Sequence, residues 1–283
     1  GHWRLGWQAY EGRREMSEWR AAMKELPTLP GGPLAVRTGR WLRRLSEGRY
    51  GVLDARPVIV VSEQGQGDAV QFARFVPLVA ERLQVPVWFR VHTALVPMMQ
   101  GAFAGDARIR ILDKGDTLGP EEVQGWVPLM SLPHFLGITN ARELPPPIRP
   151  FGKQWVEGTG AYVHESGNPQ HAYDWDRSVV PRGTLVAGVA TTYGIVQYTE
   201  GDDWAATVEK LLGCARCVTV DTALAHVAMS LGVPTDLFPP TLPEWRWGHK
   251  RLRVSPWYPS AVLWHRERSD DWAGVIGQWT AAQ

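Results

Sequence analysis

Asp221, Thr222 and His226 open the stretch VTVDTALAHVAMSLGVPT (218–235), and their spacing suits the binding of an anion. Asp221 and Thr222 stand where a helix N-cap belongs, and His226 falls four residues beyond Thr222, on the same side of the helix. A helix start offers free N–H groups and the positive end of a dipole, to which a histidine one turn in adds a donor. A phosphate is the natural guest. The competing reading is a plain N-cap and a histidine satisfied by the core.

Two further stretches carry chemistry. In GNPQHAYDWDRS (167–178), Arg177 has the planar fork suited to bidentate phosphate contact. Asp174 and Asp176 form a D-x-D, a spacing that can hold a divalent metal, but Gln170, His171 and Ala172 precede it where an apolar strand would be expected. In SEQGQGD (62–68), Glu63 and Asp68 sit in a glycine-bearing turn after an apolar run. A carboxylate there can take a proton from a hydroxyl, or Asp68 can cap the helix that follows. The turn matches neither G-x-G-x-x-G nor the P-loop, and the chain has no G-x-S-x-G to anchor a serine hydrolase.

The elements that position these residues alternate. Residues 58–61 read as a buried strand, followed by a helix with Val70, Phe72, Phe75, Val76 and Val79 in register, a strand at 85–91, a helix to 99 and a strand at 109–112. This is βαβαβ. Residues 129–137 are apolar and turn-rich, and Pro145, Pro146, Pro147 and Pro150 mark a domain boundary. A second series follows: strand 160–164, polar loop 165–177, helix 184–191, strand 195–198, helix 203–212, the 218–235 strand-turn-helix and strand 235–238. Residues 270–281 form an amphipathic helix with Trp272, Val275, Ile276 and Trp279. Two such sheets leave a cleft between their carboxyl edges.

Composition narrows the classes. A chain of 283 residues with net charge +1 has no global drive toward nucleic acid or membrane. Its two cysteines, Cys214 and Cys217, lack the second pair a zinc site needs and read as reduced core residues. No signal peptide is recognisable, and no apolar run approaches the ~18 residues of a membrane span, so a cytoplasmic protein is expected. Residues 1–26 read as helix, prolines and glycines in 27–33 break it, and the basic stretch 34–51 reads as a solvated face or a polyanion contact. Trp245, Arg246, Trp247, His249, Lys250, Arg251 and Arg253 interleave rings and bases, as a single-strand nucleic-acid surface does, or as packing against Trp257 and Tyr258 would.

Taken together, GWQAYEGR (6–13), VSEQGQGDAVQFARFVPLVA (61–80), PLMSLPHFLG (128–137), GNPQHAYDWDRS, VTVDTALAHVAMSLGVPT, EWRWG (244–248), SPWYPS (255–260) and the closing DW (271–272) resemble one family. The chain looks like the heptosyltransferase-type glycosyltransferases, in particular the glycosyltransferase region found behind tetratricopeptide repeats in bacterial proteins. GWQAYEGR is similar to the final repeat.

The resemblance implies an α/β chain of GT-B architecture, with two Rossmann-like domains facing across a cleft. Its parts would be a helical appendage and basic linker (1–50), an acceptor domain (51–150), a nucleotide-sugar domain (151–262) and a C-terminal helix packing back on the first domain (263–283). By similarity Asp68 is the base, on an acceptor-side loop with Glu63, Gln64, Gly65 and Gly67. Arg177, Ser178, Thr222, Ala223 and His226 hold the diphosphate, Asp221 orients that turn or reaches the sugar, and Gln197 and Tyr198 border the nucleoside. Such enzymes are inverting and metal-independent, with a nucleotide-sugar donor and no other cofactor. Gly125 and Trp126 stand where the family commonly has an acidic residue, and Ala215 where it has Asp. The acceptor hydroxyl belongs to a saccharide, a protein or, given the basic 245–253 stretch and the arginines of 37–49, a hydroxylated base in DNA. No membrane partner is expected. The alternative is a catalytically inactive module of the same fold that binds a sugar nucleotide or a nucleic acid.

Overall fold

Val58, Ile59, Val60 and Val61 are completely buried, which is what a β-branched run does when helices cover both faces of a parallel sheet. The structure, a computed structural model, describes residues 2–24, 29, 32–37, 40–44, 50–119, 122–165, 183–190, 193, 195–197, 203–241, 245–248, 252–268 and 270–283. The chain divides into two units, Gly1–Gly152 and Lys153–Gln283.

The first unit begins with α1 (Trp3–Tyr10), a 3-10 turn (Glu11–Glu15) and α2 (Ser17–Ala22), so the stretch read as one helix is interrupted. A few side chains of this segment join the unit's core. Trp7 is buried with its ring edge on Phe72, and Met23, with Trp19 against it, packs with Ile59, Val61 and Trp126. The basic stretch folds as an antiparallel sheet of β1 (Leu34–Arg37), β2 (Arg40–Arg44) and β3 (Tyr50–Val52). Then follow β4 (Val58–Val61), α3 (Gln66–Phe72), α4 (Val76–Leu83), β5 (Val87–Val91), α5 (Val96–Phe103), β6 (Ile109–Asp113), β7 (Gly125–Pro128) and α6 (Leu132–Leu136). Their sheet is parallel, in the order β6-β5-β4-β7. The chain therefore steps outward from β4 to β6 and returns to place β7 on the opposite flank of β4.

The second unit contains β8 (Ala161–His164), α7 (Thr184–Ala190), β9 (Ile195–Gln197), α8 (Trp204–Leu212), β10 (Arg216–Val220), α9 (Ala223–Leu231), β11 (Thr235–Phe238), β12 (Ala261–Leu263) and α10 (Trp272–Ala281). The parallel order is β12-β11-β10-β8-β9, again with a reversal, here between β8 and β10. Local signals explain the helix limits. Asp203 accepts from the Ala206 N–H at 2.8 Å to start α8, and Asp271 accepts from the Gly274 N–H at 2.9 Å to start α10. Gly232 ends α9 at φ +86°, a left-handed conformation glycine adopts without penalty.

The sequence suggests a last helix packing back on the first domain, and one face of α10 builds part of the second unit's core. Trp272, Val275 and Trp279 are buried in one cluster with Val163, Leu185, Val218 and Phe238. Cys214 and Cys217 are free and buried, and burial pushes both thiols up. No helix among the described residues is long and apolar enough to cross a membrane.

Candidate functional site

An open parallel sheet binds ligands outside the carboxyl ends of its strands, at the point where strand order reverses. In the second unit that point lies between β8 and β10, so the residues leaving these two strands define the candidate site. Asp221, 2% exposed, follows β10 directly. Thr222 is the N-cap residue of α9, at φ −144° and ψ 172°, and its own side chain makes no capping hydrogen bond. Its buried Oγ1 has no hydrogen-bond partner among the described residues. The start of α9, including the Ala223 amide, is thus a corner rich in N–H groups that the N-cap hydroxyl does not cap.

Register brings other residues to the same edge. His164 ends β8 opposite Thr219 of β10, and Gln197 ends β9 opposite Val163 of β8. His164 was not singled out in the sequence; its only local signal is a titratable residue closing a strand. Burial draws its pKa from 6.5 down to about 4, against the opposing charge of Glu165, so the ring is neutral at pH 7. Glu165 itself accepts N–H groups from Gly183 at 2.6 Å, Leu185 at 2.5 Å and Val186 at 3.0 Å, which caps the start of α7. Arg177, Ser178 and the D-x-D of Asp174 and Asp176 lie outside the described residues, as does Tyr198. The connection from β8 to α7 that contains the first four leaves this edge at Glu165.

The depressed His164 pKa gives a pH prediction. Above about pH 6.5 the imidazole is neutral in both folded and unfolded chains. Between pH 6.5 and 4 only the unfolded chain gains the proton, so stability falls as pH falls through that window. The loss is at most about 3 kcal/mol, at 1.36 kcal/mol per pKa unit. His164→Gln should flatten this part of the profile, measured as urea midpoints at pH 7 and pH 4.5; an unchanged slope would count against it.

His226 faces inward. It is 2% exposed, its Nδ1 lies 3.0 Å from the Tyr258 hydroxyl, and its ring stacks on Trp247 at 5.4 Å between centroids. Three stretches far apart in sequence, EWRWG, SPWYPS and the α9 start, therefore meet around one imidazole. Trp247, Trp257 and Tyr258 are buried, whereas Trp245 is 43% exposed. The rings of this region serve mainly as packing.

In the first unit the order reverses between β4 and β7, and the SEQGQGD turn leaves β4 there. Glu63, expected on the acceptor-side loop, is completely buried and is corrected to a structural role. Its carboxylate accepts from Arg13 Nη2 at 2.6 Å and Nε at 3.3 Å, from the Trp19 indole and from the Met130 N–H at 3.0 Å. Those donors consume it. Gln64 and Gly65 are exposed, with Gln64 at φ +59°, while Gly67 is buried. Because α3 starts at Gln66, Asp68 lies in its first turn, and its Oδ2 accepts from the Gly65 N–H at 3.0 Å. One carboxylate oxygen thus makes the capping contact, half of a capping box. His92, at the end of β5, places Nε2 3.2 Å from the Gln64 carbonyl and 3.4 Å from Lys114 Nζ.

No family model matches the chain, and no curated protein matches it. Among solved structures, the dodecameric iron-containing heptosyltransferase TibC in complex with ADP-D-beta-D-heptose is similar at TM-score 0.50 and 11% identity, over 71% of this chain and 65% of that one. A structure of TibC from enterotoxigenic E. coli H10407, described as a bacterial iron-containing dodecameric glycosyltransferase, gives 0.48 and 11%, over 67% and 60%. The E. coli heptosyltransferase WaaC with ADP-2-deoxy-2-fluoro heptose gives 0.45 and 9%, over 80% and 99%. This chain spans less than two thirds of the TibC chains. At this identity the TibC likeness shows a shared fold, two parallel-sheet α/β units of the GT-B type. As for the iron in TibC, no group of three or more His, Cys, Asp or Glu among the described residues is placed to hold a metal ion.

Proposed function

We propose that this chain is a glycosyltransferase that moves a sugar from a nucleotide-sugar to a hydroxyl, with inversion at the anomeric carbon and without a metal. The observation that carries the reading is the start of α9 at the strand-order reversal of the second unit, where the N-cap Thr222 makes no capping hydrogen bond and its buried hydroxyl has no partner among the described residues. A diphosphate supplies one. The amide of Ala223, the hydroxyl of Thr222 and the side chains of Arg177 and Ser178 meet its charge, Asp221 orients the turn, and His226, expected to join them, packs inward against Tyr258 and Trp247. Gln197 and Tyr198 border the nucleoside.

The reaction is a single displacement. The acceptor oxygen attacks the anomeric carbon on the face opposite the diphosphate, the new C–O bond forms, and the bond to the diphosphate oxygen breaks. Asp68 takes the hydroxyl proton, and the leaving diphosphate keeps the electron pair. Donors that stabilise a charge developing on that oxygen lower the barrier without help from a cation.

For the acceptor we favour a saccharide or protein hydroxyl. The DNA version drew on the basic, tryptophan-rich 245–253 stretch and the arginines of 37–49, and the burial of Trp247 speaks against a stacking platform there. Free, buried cysteines support a reducing, cytoplasmic setting.

A thermal-shift screen of nucleotide-sugars, led by ADP-heptose because TibC is complexed with it, tests the donor reading. At one hundred times its Kd a true donor adds about 2.7 kcal/mol to the folded state. No shift with any donor would sink the proposal, and binding without transfer or hydrolysis would favour the inactive module. Arg177→Ala should weaken donor affinity about tenfold to a hundredfold, the worth of charge-assisted hydrogen bonds of roughly 1.5–3 kcal/mol. Equal affinities by calorimetry would remove Arg177 from the site.

A further inference from the structure

In the first unit the crevice between β4 and β7 is filled by the chain's own N-terminal segment. Arg13, itself buried, donates to Glu63 at the end of β4 and, through Nη2 at 3.0 Å, to Ser131 just after β7. Its Nη1 donates to Glu11 Oε1 at 3.0 Å, and the Ser131 hydroxyl donates to Glu11 Oε2 at 3.0 Å, which closes a ring of three side chains, Arg13, Ser131 and Glu11. The same Nη1 reaches the Tyr10 carbonyl at 3.0 Å, and the guanidinium stands 4.5 Å from the Tyr10 ring centroid. The Tyr10 hydroxyl in turn accepts from Gln64 Nε2 at 3.4 Å.

One guanidinium therefore fixes two consecutive residues of the turn, Glu63 directly and Gln64 through Tyr10. Gln64 is in a left-handed conformation, which a residue other than glycine keeps only where its surroundings over-determine it. Four residues on, Asp68 closes the turn on the Gly65 N–H.

The geometry points to Arg13 as a positioning residue: its fork on Glu63 and Tyr10 holds the 64–68 turn in the arrangement that proton removal by Asp68 requires, making the N-terminal segment a working part of the transfer reaction. The inference rests on the glycosyltransferase reading with Asp68 as base. Lysine cannot replace this fork, because an ammonium is a point charge on a flexible stem and cannot meet Glu63 through two nitrogens while reaching Tyr10 and Ser131.

Arg13→Lys keeps the buried positive charge, so it is the informative variant beside Arg13→Ala. Arg13→Lys should lower kcat at least tenfold, leave the donor KM within twofold, and speed amide hydrogen exchange at least tenfold in residues 64–72 alone. Unchanged kcat, or unchanged exchange in that segment, would overturn the inference. So would accelerated exchange across the whole first unit, since that is general loosening. Failure of the underlying reading looks different: the wild-type protein transfers no sugar, or Asp68→Asn transfers as well as wild type. The exchange measurement decides whether Arg13 holds the turn in either case.

Discussion

Asp68→Asn lowers sugar transfer by roughly 10²–10⁴-fold while donor affinity stays within twofold; this is the range a positioned general base contributes. The substitution is chosen for its shape. Asn keeps an oxygen that can accept from the Gly65 N–H, so the first turn of α3 retains the contact that Asp68 makes at 3.0 Å. What it lacks is a carboxylate able to take a proton. Steady-state kinetics with the donor found by thermal shift, together with calorimetric binding of that donor, separate the two quantities. Transfer retained with donor affinity lost would move Asp68 out of the base role and into donor binding.

Glu63→Ala should destabilise the protein by about 3 kcal/mol, the low end of the cost of removing one partner of a buried ion pair, because Arg13 keeps Glu11 at 3.0 Å. Arg13 and Glu63 have side-chain exposures of 6% and 0%, so water screens neither of them. The Trp19 indole and the Met130 N–H lose their acceptor in the same step. Against a typical total stability of about 5–15 kcal/mol, such a loss is large. It should appear as a lower urea midpoint, and the double variant Arg13→Met with Glu63→Leu should recover much of it, since replacing both charges leaves none buried alone. A midpoint unmoved by Glu63→Ala would show that the pair contributes nothing net.

Legibility from sequence followed the range of the physics. Strands at 58–61 and 235–238 and the helix from Ala223 to Leu231 were readable because each has a run or period of its own and a local stop such as Gly232. β7 was missed because its Gly125 and Pro128 carry turn signals, and β1 to β3 because short arginine-rich strands do not stand out by hydrophobicity. The strand-turn-helix around Asp221 and Thr222 was legible because it is a local object. Glu63 was misplaced because the residues that bury it, Arg13, Trp19 and Met130, lie 44 to 67 positions away and leave no trace in its own neighbourhood. His164 escaped notice for a related reason: its place on the edge follows from pairing with β10, which no local pattern records.

Among the helix starts of the second unit, those of α7 and α9 differ in what their neighbouring side chains supply. At α7, Glu165 is a tethered counter-ion, present at a high effective concentration whatever the solution contains, so a free anion must first evict it. At α9 the N-cap residue is a neutral threonine whose hydroxyl is unspent among the described residues. On the proposed reading, the diphosphate competes with a tethered carboxylate at the first of these starts and with no carboxylate of the cap residue at the second.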